Sequence, residues 1–153
     1  MKASVATNGK DVPWDDWIHA LSLVHEYAHL SDTGQLDVLE RVFTEDATFE
    51  SNVPLFPVQT GRAAIIAALS NTEEHLSNVR RKHCVSNFRI MDYDGIHIRS
   101  SAYLLQVHTQ PGDLPILRQV GMYDDHMVKG PDGRWRFSSR MFVTDLATTR
   151  QAG

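Results

Sequence analysis

The stretch HCVSNFRIMDYDGIHIRSSAYLLQVHT, residues 83–109, contains two long runs of β-branched, aromatic and other apolar residues on either side of Asp94-Gly95. An Asp-Gly pair between two such runs is a strong signal for a tight hairpin turn. The stretch therefore predicts two long antiparallel strands, at about His83 to Tyr93 and about Ile96 to Thr109.

Two further extended segments follow toward the C-terminus, at about Ile116 to Lys129 and Arg134 to Val143. Loops rich in proline and glycine separate them, at residues 111–113 and 130–133. The C-terminal half is therefore predicted to be a meander of four long antiparallel strands.

The N-terminal half has a different periodicity. From Trp14 to about Ser31 the apolar residues recur at three- and four-residue spacing, which is typical of an amphipathic helix. Shorter elements are predicted as helices at about Leu36–Phe43 and Arg62–Leu69, a short strand at Ala47–Glu50 and an edge piece at about Phe56–Gln59. Helices that precede a strand meander indicate an α+β fold.

Composition limits the possible functions. The chain has 153 residues, of which 42 % are hydrophobic and 22 % charged, and a net charge of −4, which is typical of one globular domain that does not bind nucleic acid. No apolar run approaches the roughly 20 residues that span a bilayer, and the start of the chain lacks the apolar core of a secretory signal. We expect a soluble cytoplasmic protein with a disordered lead-in at residues 1–13, one domain at 14–145 and a C-terminal tail at 146–153.

Neither cofactor nor metal is predicted. The single cysteine, Cys84, has no disulfide partner, and its neighbour His83 should point to the opposite face of a strand. His25 and His29 are one helical turn apart, but no third ligand accompanies them in the pattern of a zinc helix. Phosphate-binding glycine loops and the GxSxG nucleophile motif are also absent.

The second strand is apolar on both faces. Tyr103, Leu105 and Val107 alternate with residues such as Ala102 and Leu104. Three short helices can cover only one face of a sheet, so the other face is expected to be buried in a homo-oligomer, either a dimer or a trimer.

Several sequence strings resemble the nuclear-transport-factor-2-like superfamily. YAHLSDTGQLDVLERVFTEDATFES (27–51) is similar to its helix, turn, helix and first-strand opening; TGRAAI (60–65) resembles its next helix start; HCVSNFRI (83–90), GMYDDHMV (121–128) and GRWRFSSRMFVTD (133–145) resemble its last strands. The resemblance is strongest to the SnoaL-like group, which includes hexachlorocyclohexane dehydrochlorinase, scytalone dehydratase and bile acid 7α-dehydratase. It implies a cone-shaped half-barrel, a curved and mostly antiparallel sheet covered by three N-terminal helices.

The resemblance also implies a site. The family pattern places an Asp at the end of the first helix beside a His on the first long strand, and Asp32 and His83 match those positions; Tyr27 falls where the bile acid dehydratase pattern has a Tyr. A carboxylate that fixes the tautomer of an imidazole makes that imidazole a general base near neutral pH. Tyr27 would then donate a hydrogen bond or a proton. Each residue also has a structural alternative: Asp32 an Asx turn, His83 a backbone contact and Tyr27 a core position.

Two further residues are candidates for binding substrate. Asn87 shares the strand face of His83 by parity, and Arg140 lies on the last strand, where the family often has an Arg. A salt bridge between Arg140 and Asp125 is the structural alternative.

The predicted function is a cofactor-independent lyase or isomerase, of the dehydratase type, that acts on a hydrophobic and cyclic small molecule. Two alternatives stay open. One is a polyketide cyclase, ketosteroid-isomerase-like enzyme or epoxide hydrolase of the same fold; a cyclase or hydrolase would need a further carboxylate, with Glu50, Asp124 and Asp125 as candidates. The other is a binding module with no catalysis.

Overall fold

The computed structural model describes residues 4–7, 10–53, 57–75 and 77–145. The helices are α1 (Trp14–Asp32), a 3₁₀ helix (Leu36–Arg41) and α2 (Arg62–His75). The strands are β1 (Ser4–Thr7), β2 (Lys10–Pro13), β3 (Phe43–Ser51), β4 (Gln59–Thr60), β5 (Arg80–Tyr93), β6 (His97–Thr109), β7 (Ile116–Lys129) and β8 (Trp135–Thr144).

Six of these strands form one curved, unclosed sheet in the order β4-β3-β8-β7-β6-β5. The pairing of β3 with β8 is parallel, and the other pairings in this sheet are antiparallel. The predicted α+β architecture with a mostly antiparallel sheet is therefore confirmed.

The core lies between α1 and the concave face of this sheet. Tyr27 of α1 makes edge contacts with the rings of Phe43 and Phe137, with centroids 5.9 and 6.4 Å apart. Both phenylalanines are fully buried. No helix among the described residues is long and apolar enough to cross a membrane.

Two local predictions differ from the structure. Residues 4–7 and 10–13, predicted to belong to a disordered lead-in, pair as the hairpin β1–β2, and Val12 of this hairpin is fully buried in the core. The second helix is a 3₁₀ helix that ends before Phe43, because Phe43 already pairs with Phe137 of β8. The predicted tail at 146–153 lies outside the described residues.

A buried carboxylate anchors α1 to the sheet. Asp16, in the first turn of α1, accepts hydrogen bonds from Tyr93 Oη (2.6 Å), Lys129 Nζ (2.6 Å) and Trp135 Nε1 (3.0 Å). Burial favours the neutral acid, but the hydrogen bonds from Lys129, Tyr93 and Trp135 outweigh it and lower the pKa of Asp16. Burial, and after it the hydrogen bond to Asp16, raise the pKa of Tyr93 to about 12.

We expect Asp16→Asn to lower the free energy of unfolding by about 3 kcal/mol, because an amide cannot pair with the Lys129 charge or accept all three bonds. Urea denaturation measures this difference. Because the folded-state pKa of Asp16 lies below its unfolded value, the wild-type advantage should be present above about pH 4 and shrink as the pH falls further. Asp15→Asn, at the exposed neighbouring position, is the matched control and should change stability little.

Candidate active site

The structure brings Asp32 and His83 into direct contact. Asp32 is the last residue of α1, and His83 lies near the start of β5. Asp32 Oδ1 lies 2.5 Å from His83 Nδ1, and Asp32 Oδ2 accepts the backbone N–H of His83 at 2.9 Å. The two side chains expose only 9 and 6 % of their surface. Both carboxylate oxygens therefore hold the histidine.

The end of α1 positions this carboxylate. Thr33 caps the helix: its backbone N–H and its hydroxyl both donate to His29 O, at 3.0 and 2.8 Å. Gly34 follows with φ of 69°, a left-handed conformation that glycine adopts without strain. The chain thus turns away directly after Asp32, and its side chain reaches across to β5.

The second ring nitrogen of His83 contacts Gln106 of β6. An ionised carboxylate only accepts hydrogen bonds, so Nδ1 of His83 carries the proton and Nε2 of a neutral ring is an acceptor. Gln106 Nε2 lies 2.9 Å from this nitrogen and donates to it, while Gln106 Oε1 lies 3.2 Å from His108 Nε2. A substrate proton must therefore take the place of the Gln106 amide before His83 can accept it.

His83, Gln106 and His108 border a cavity of about 310 Å³ between the sheet, α1 and α2. Its other lining residues combine aromatic and aliphatic side chains with about as many polar ones: Tyr27, Ser31, Phe49, Ser51, Val53, Leu69, Thr72, Arg81, Leu104, Arg118, Gln119, Tyr123 and Phe142. A cleft that combines apolar surface with convergent polar groups is typical of a small-molecule site.

Two tyrosines, Tyr27 and Tyr123, line this cavity. Burial raises the pKa of Tyr27, against the opposing charges of Arg140 and Arg81, and burial also raises the pKa of Tyr123. Both phenols therefore stay protonated across the physiological range and act as hydrogen-bond donors rather than as phenolates.

The surroundings of His108 favour its neutral form. Burial lowers its pKa first, and the positive charges of Arg81 and Arg118 lower it further. A neutral His108 donates its Nε2–H to Gln106 Oε1, which orients the amide toward His83.

Arg140, a predicted substrate-binding residue, does not line this cavity. Its side chain is fully buried and pairs with Asp125 through Nε and Nη2 at 2.7 and 2.8 Å. The guanidinium lies over the rings of Tyr27, Tyr123 and Phe137, at 4.3, 3.9 and 4.1 Å from their centroids. The alternative contact, a salt bridge to Asp125, is the one the structure shows.

Asn87, the second predicted binding residue, lies outside the cavity and is exposed. The pairing of β5 with β6 shifts register between Ser86 and Arg89, and Asn87 has a positive φ of 53°. A bulge interrupts strand alternation, so the parity that placed Asn87 on the face of His83 is wrong.

Several polar lining residues were not predicted, among them Arg81, Gln106, His108 and Arg118. Strand parity places Arg81 on the face of His83, which is a usable signal. Gln106 and His108 share a face by the same rule, but only the register of β5 against β6 shows that this face meets His83.

Metal-binding geometry is not seen in the described part of the chain: no group of three or more His, Cys, Asp or Glu residues is arranged to hold an ion. His25, His29 and Asp32 line a shallow groove behind the dyad together with Cys84, which is exposed.

The family model for the SnoaL-like domain matches residues 19–141, most of the chain. The chain belongs to the SnoaL-like domain family. This confirms the family resemblance, and solved structures agree with it. A nuclear-transport-factor-2-like protein with a cystatin-like fold from Novosphingobium aromaticivorans is 20 % identical, with a TM-score of 0.77 over 88 % of this chain and 85 % of that one.

Two other solved structures share this fold. A protein from Novosphingobium aromaticivorans, described provisionally as a scytalone dehydratase, is 21 % identical, with a TM-score of 0.70 over 86 % of this chain and 85 % of that one. A protein from Catenulispora acidiphila in complex with S-DNPA is 24 % identical, with a TM-score of 0.74 over 84 % of this SnoaL-like chain and 92 % of that one. At these identities the likeness shows the fold alone. No protein of curated function matches the sequence.

Proposed function

We propose that this SnoaL-like protein is a cofactor-independent lyase or isomerase that acts on a hydrophobic, cyclic small molecule. The observation that carries the proposal is the double contact between Asp32 and His83 at the wall of a cavity that is partly lined by aromatic and aliphatic side chains. A buried carboxylate fixes the imidazole as the Nδ1–H tautomer and stabilises the imidazolium that forms when Nε2 accepts a proton.

The proposed reaction begins with transfer of a C–H proton to His83 Nε2. In an elimination, the electron pair of that bond forms the new double bond, and the C–O bond to a leaving hydroxyl breaks. The imidazolium returns its proton to the departing oxygen, so that water leaves and the base is regenerated. Tyr27, whose phenol stays protonated, donates a hydrogen bond to a carbonyl or to the leaving oxygen.

The alternative of a cyclase or epoxide hydrolase with a further carboxylate receives less support. The described side chains that line the cavity include neither Asp nor Glu. Among the candidates, Asp125 is paired with Arg140 in the interior and Asp124 with Arg99. The cavity disfavours an assembly subunit whose cone is filled by bulky side chains. A non-catalytic binding module would have a cavity as well, and measured turnover distinguishes it from an enzyme.

Nitrogen-15 NMR of the histidine rings tests the dyad without knowledge of the substrate. In the wild type we expect His83 to be held as the Nδ1–H tautomer. In Asp32→Asn the amide can donate to Nδ1, so the population of the Nε2–H tautomer should rise and turnover on a substrate found by screening should fall by about 10³- to 10⁴-fold. Asp15→Asn, the same change at an exposed position of α1, is the control and should keep the tautomer. An unchanged His83 tautomer in Asp32→Asn would remove the carboxylate from the mechanism.

We also propose that the convex face of the sheet joins two or more copies of the chain. Tyr103 and Leu105 expose 55 and 41 % of their surface, and they pair with the exposed Met122 and Val120 on β7. This contiguous apolar patch on β6 and β7 is larger than isolated surface residues explain.

Sedimentation of the wild-type protein is expected to show a dimer or a trimer. Leu105→Glu should dissociate it, because a charge would be buried without a partner at the contact. His19→Glu, at an exposed position of α1, is the control and should leave the oligomer intact. A wild-type protein that sediments as a monomer at micromolar concentration would contradict this proposal.

A further inference from the structure

The cavity wall formed by β5, β6 and β7 carries two neighbouring rows of polar side chains. In the base row, His83 lies opposite Gln106, which in turn lies opposite Gln119. Two residues along the strands, Arg81 lies opposite His108 and forms the basic row. Because a strand rises about 3.3 Å per residue, the two rows are about 7 Å apart.

Arg118 joins the basic row through an irregularity in β7. Gln106 pairs with Gln119, whereas Val107 pairs with Leu117, so Arg118 is the extra residue of a bulge. Bulges re-aim the side chains of the strand that carries them. Arg118 lines the cavity, and its backbone lies at the level between the two rows.

The charges that border the described part of the cavity wall have one sign. Among the lining residues whose side chains the structure describes, Arg81 and Arg118 are cationic and none is Asp or Glu. Asp32 lies behind His83, where the imidazole separates it from the cavity. Burial has the largest effect on the pKa of His108 and lowers it, and the charges of both guanidinium groups lower it further. Their positive potential therefore extends to the basic row.

We propose that the substrate of this cavity carries a carboxylate, which Arg118 binds at the basic row with the help of the Arg81 charge. This inference rests on the proposed function, because it places the reacting C–H at His83 Nε2, in the row that lies about 7 Å along the strands from the basic row. A guanidinium forms two parallel hydrogen bonds to a carboxylate, a geometry that an uncharged amide cannot reproduce. The apolar body of the molecule would pack against Leu104, Tyr123 and Phe142.

Two probes of nearly equal shape, 2-naphthoate and 2-naphthamide, test the charge requirement by isothermal titration calorimetry. Wild-type protein should bind the carboxylate about tenfold more tightly than the amide, and added salt should reduce the difference. Arg118→Gln should remove this preference, and Arg118→Lys should keep part of it. Arg99→Gln removes the same charge from the outside of the sheet, at an exposed pair with Asp124, and should keep the preference in full.

Equal affinities for the two probes, no binding of either at millimolar concentration, or an unchanged preference in Arg118→Gln would each overturn the assignment. Melting curves of the variants should match the wild type, because Arg118 is exposed. The titration involves no turnover, so its result is separate from that of the dyad. A His83→Ala variant with full activity would defeat the proposed function and leave a measured carboxylate preference standing.

Discussion

Replacing His83 by alanine is expected to lower turnover by about 10³-fold or more while leaving the fold intact. The imidazole is the only described group at the cavity wall whose basic nitrogen is backed by a buried carboxylate. Without it, the C–H proton has no acceptor, and Asp32 loses its main partner. Single-turnover kinetics on a substrate identified by screening would measure the loss, and circular dichroism would confirm the fold.

The neighbouring Cys84 provides a matched control for this experiment. Cys84→Ala changes the next residue of β5, which is exposed on the opposite face of the strand from the His83 side chain, and should keep full turnover. His83→Gln separates base chemistry from hydrogen bonding, since its amide can contact Asp32 but cannot accept a proton near pH 7. We expect it to be as inactive as the alanine variant. Retained activity in His83→Gln would assign the histidine a structural role.

The pH profile of kcat/KM tests whether Tyr27 acts as a phenol or as a phenolate. Burial raises the pKa of its phenol, so loss of the phenol proton should not add a limb to the profile in the neutral range.

Much of the fold follows from periodicity in the sequence. The stripe from Trp14 to Ser31 defines α1, and the boundaries of β7 agree with the predicted segment at Ile116–Lys129. The positions of Asp32 and His83 follow from a family resemblance, not from spacing, since 51 residues separate them in the chain. Sequence alone does not encode that contact in any local pattern.

Irregular turns and bulges account for most of what the sequence did not reveal. Asp94-Gly95 indicates a two-residue turn, yet Tyr93 pairs with Ile98. The loop is longer because Asp94 accepts the backbone N–H groups of Ile96 and His97. Two register shifts in β5 then set which residue of β6 faces His83. Nothing in the sequence marks those shifts except the tolerance of Asn87 for a positive φ.

A bulge in β8 explains the position of Arg140. Phe137 and Arg140 are three residues apart on β8 and would face opposite sides of a regular strand. The register of β7 against β8 shifts between His126 and Met127, so Ser138 is the extra residue of a bulge. The side chains of Phe137 and Arg140 are therefore both buried. Arg140 is therefore buried in the core, where the paired carboxylate of Asp125 offsets the cost of burying its charge.

Breaking that buried pair is expected to have the largest effect on stability. Arg140→Met leaves Asp125 without its two hydrogen bonds in a position where the carboxylate is fully buried, and should lower the free energy of unfolding by about 4 kcal/mol. Burial raises the pKa of Asp125 while Arg140 opposes the rise, so removing the arginine should raise that pKa further. A raised folded-state pKa favours folding at low pH. The deficit of Arg140→Met relative to the wild type should therefore be smaller at pH 5 than at pH 8.

The double variant Arg140→Met, Asp125→Leu distinguishes a charge effect from a packing effect. If desolvated charge is the cause, removing the orphaned carboxylate should recover most of the lost stability, as apolar replacements of buried pairs often do. Arg99→Met, which breaks the exposed pair with Asp124, is the control and should cost under about 1 kcal/mol.

Because Tyr27 and Tyr123 pack on the Arg140 guanidinium and also line the cavity, ligand binding in the double variant should weaken even where its stability is restored. Binding equal to the wild type would show that the tyrosines hold their positions without the cation, and that Arg140 serves the fold and not the site.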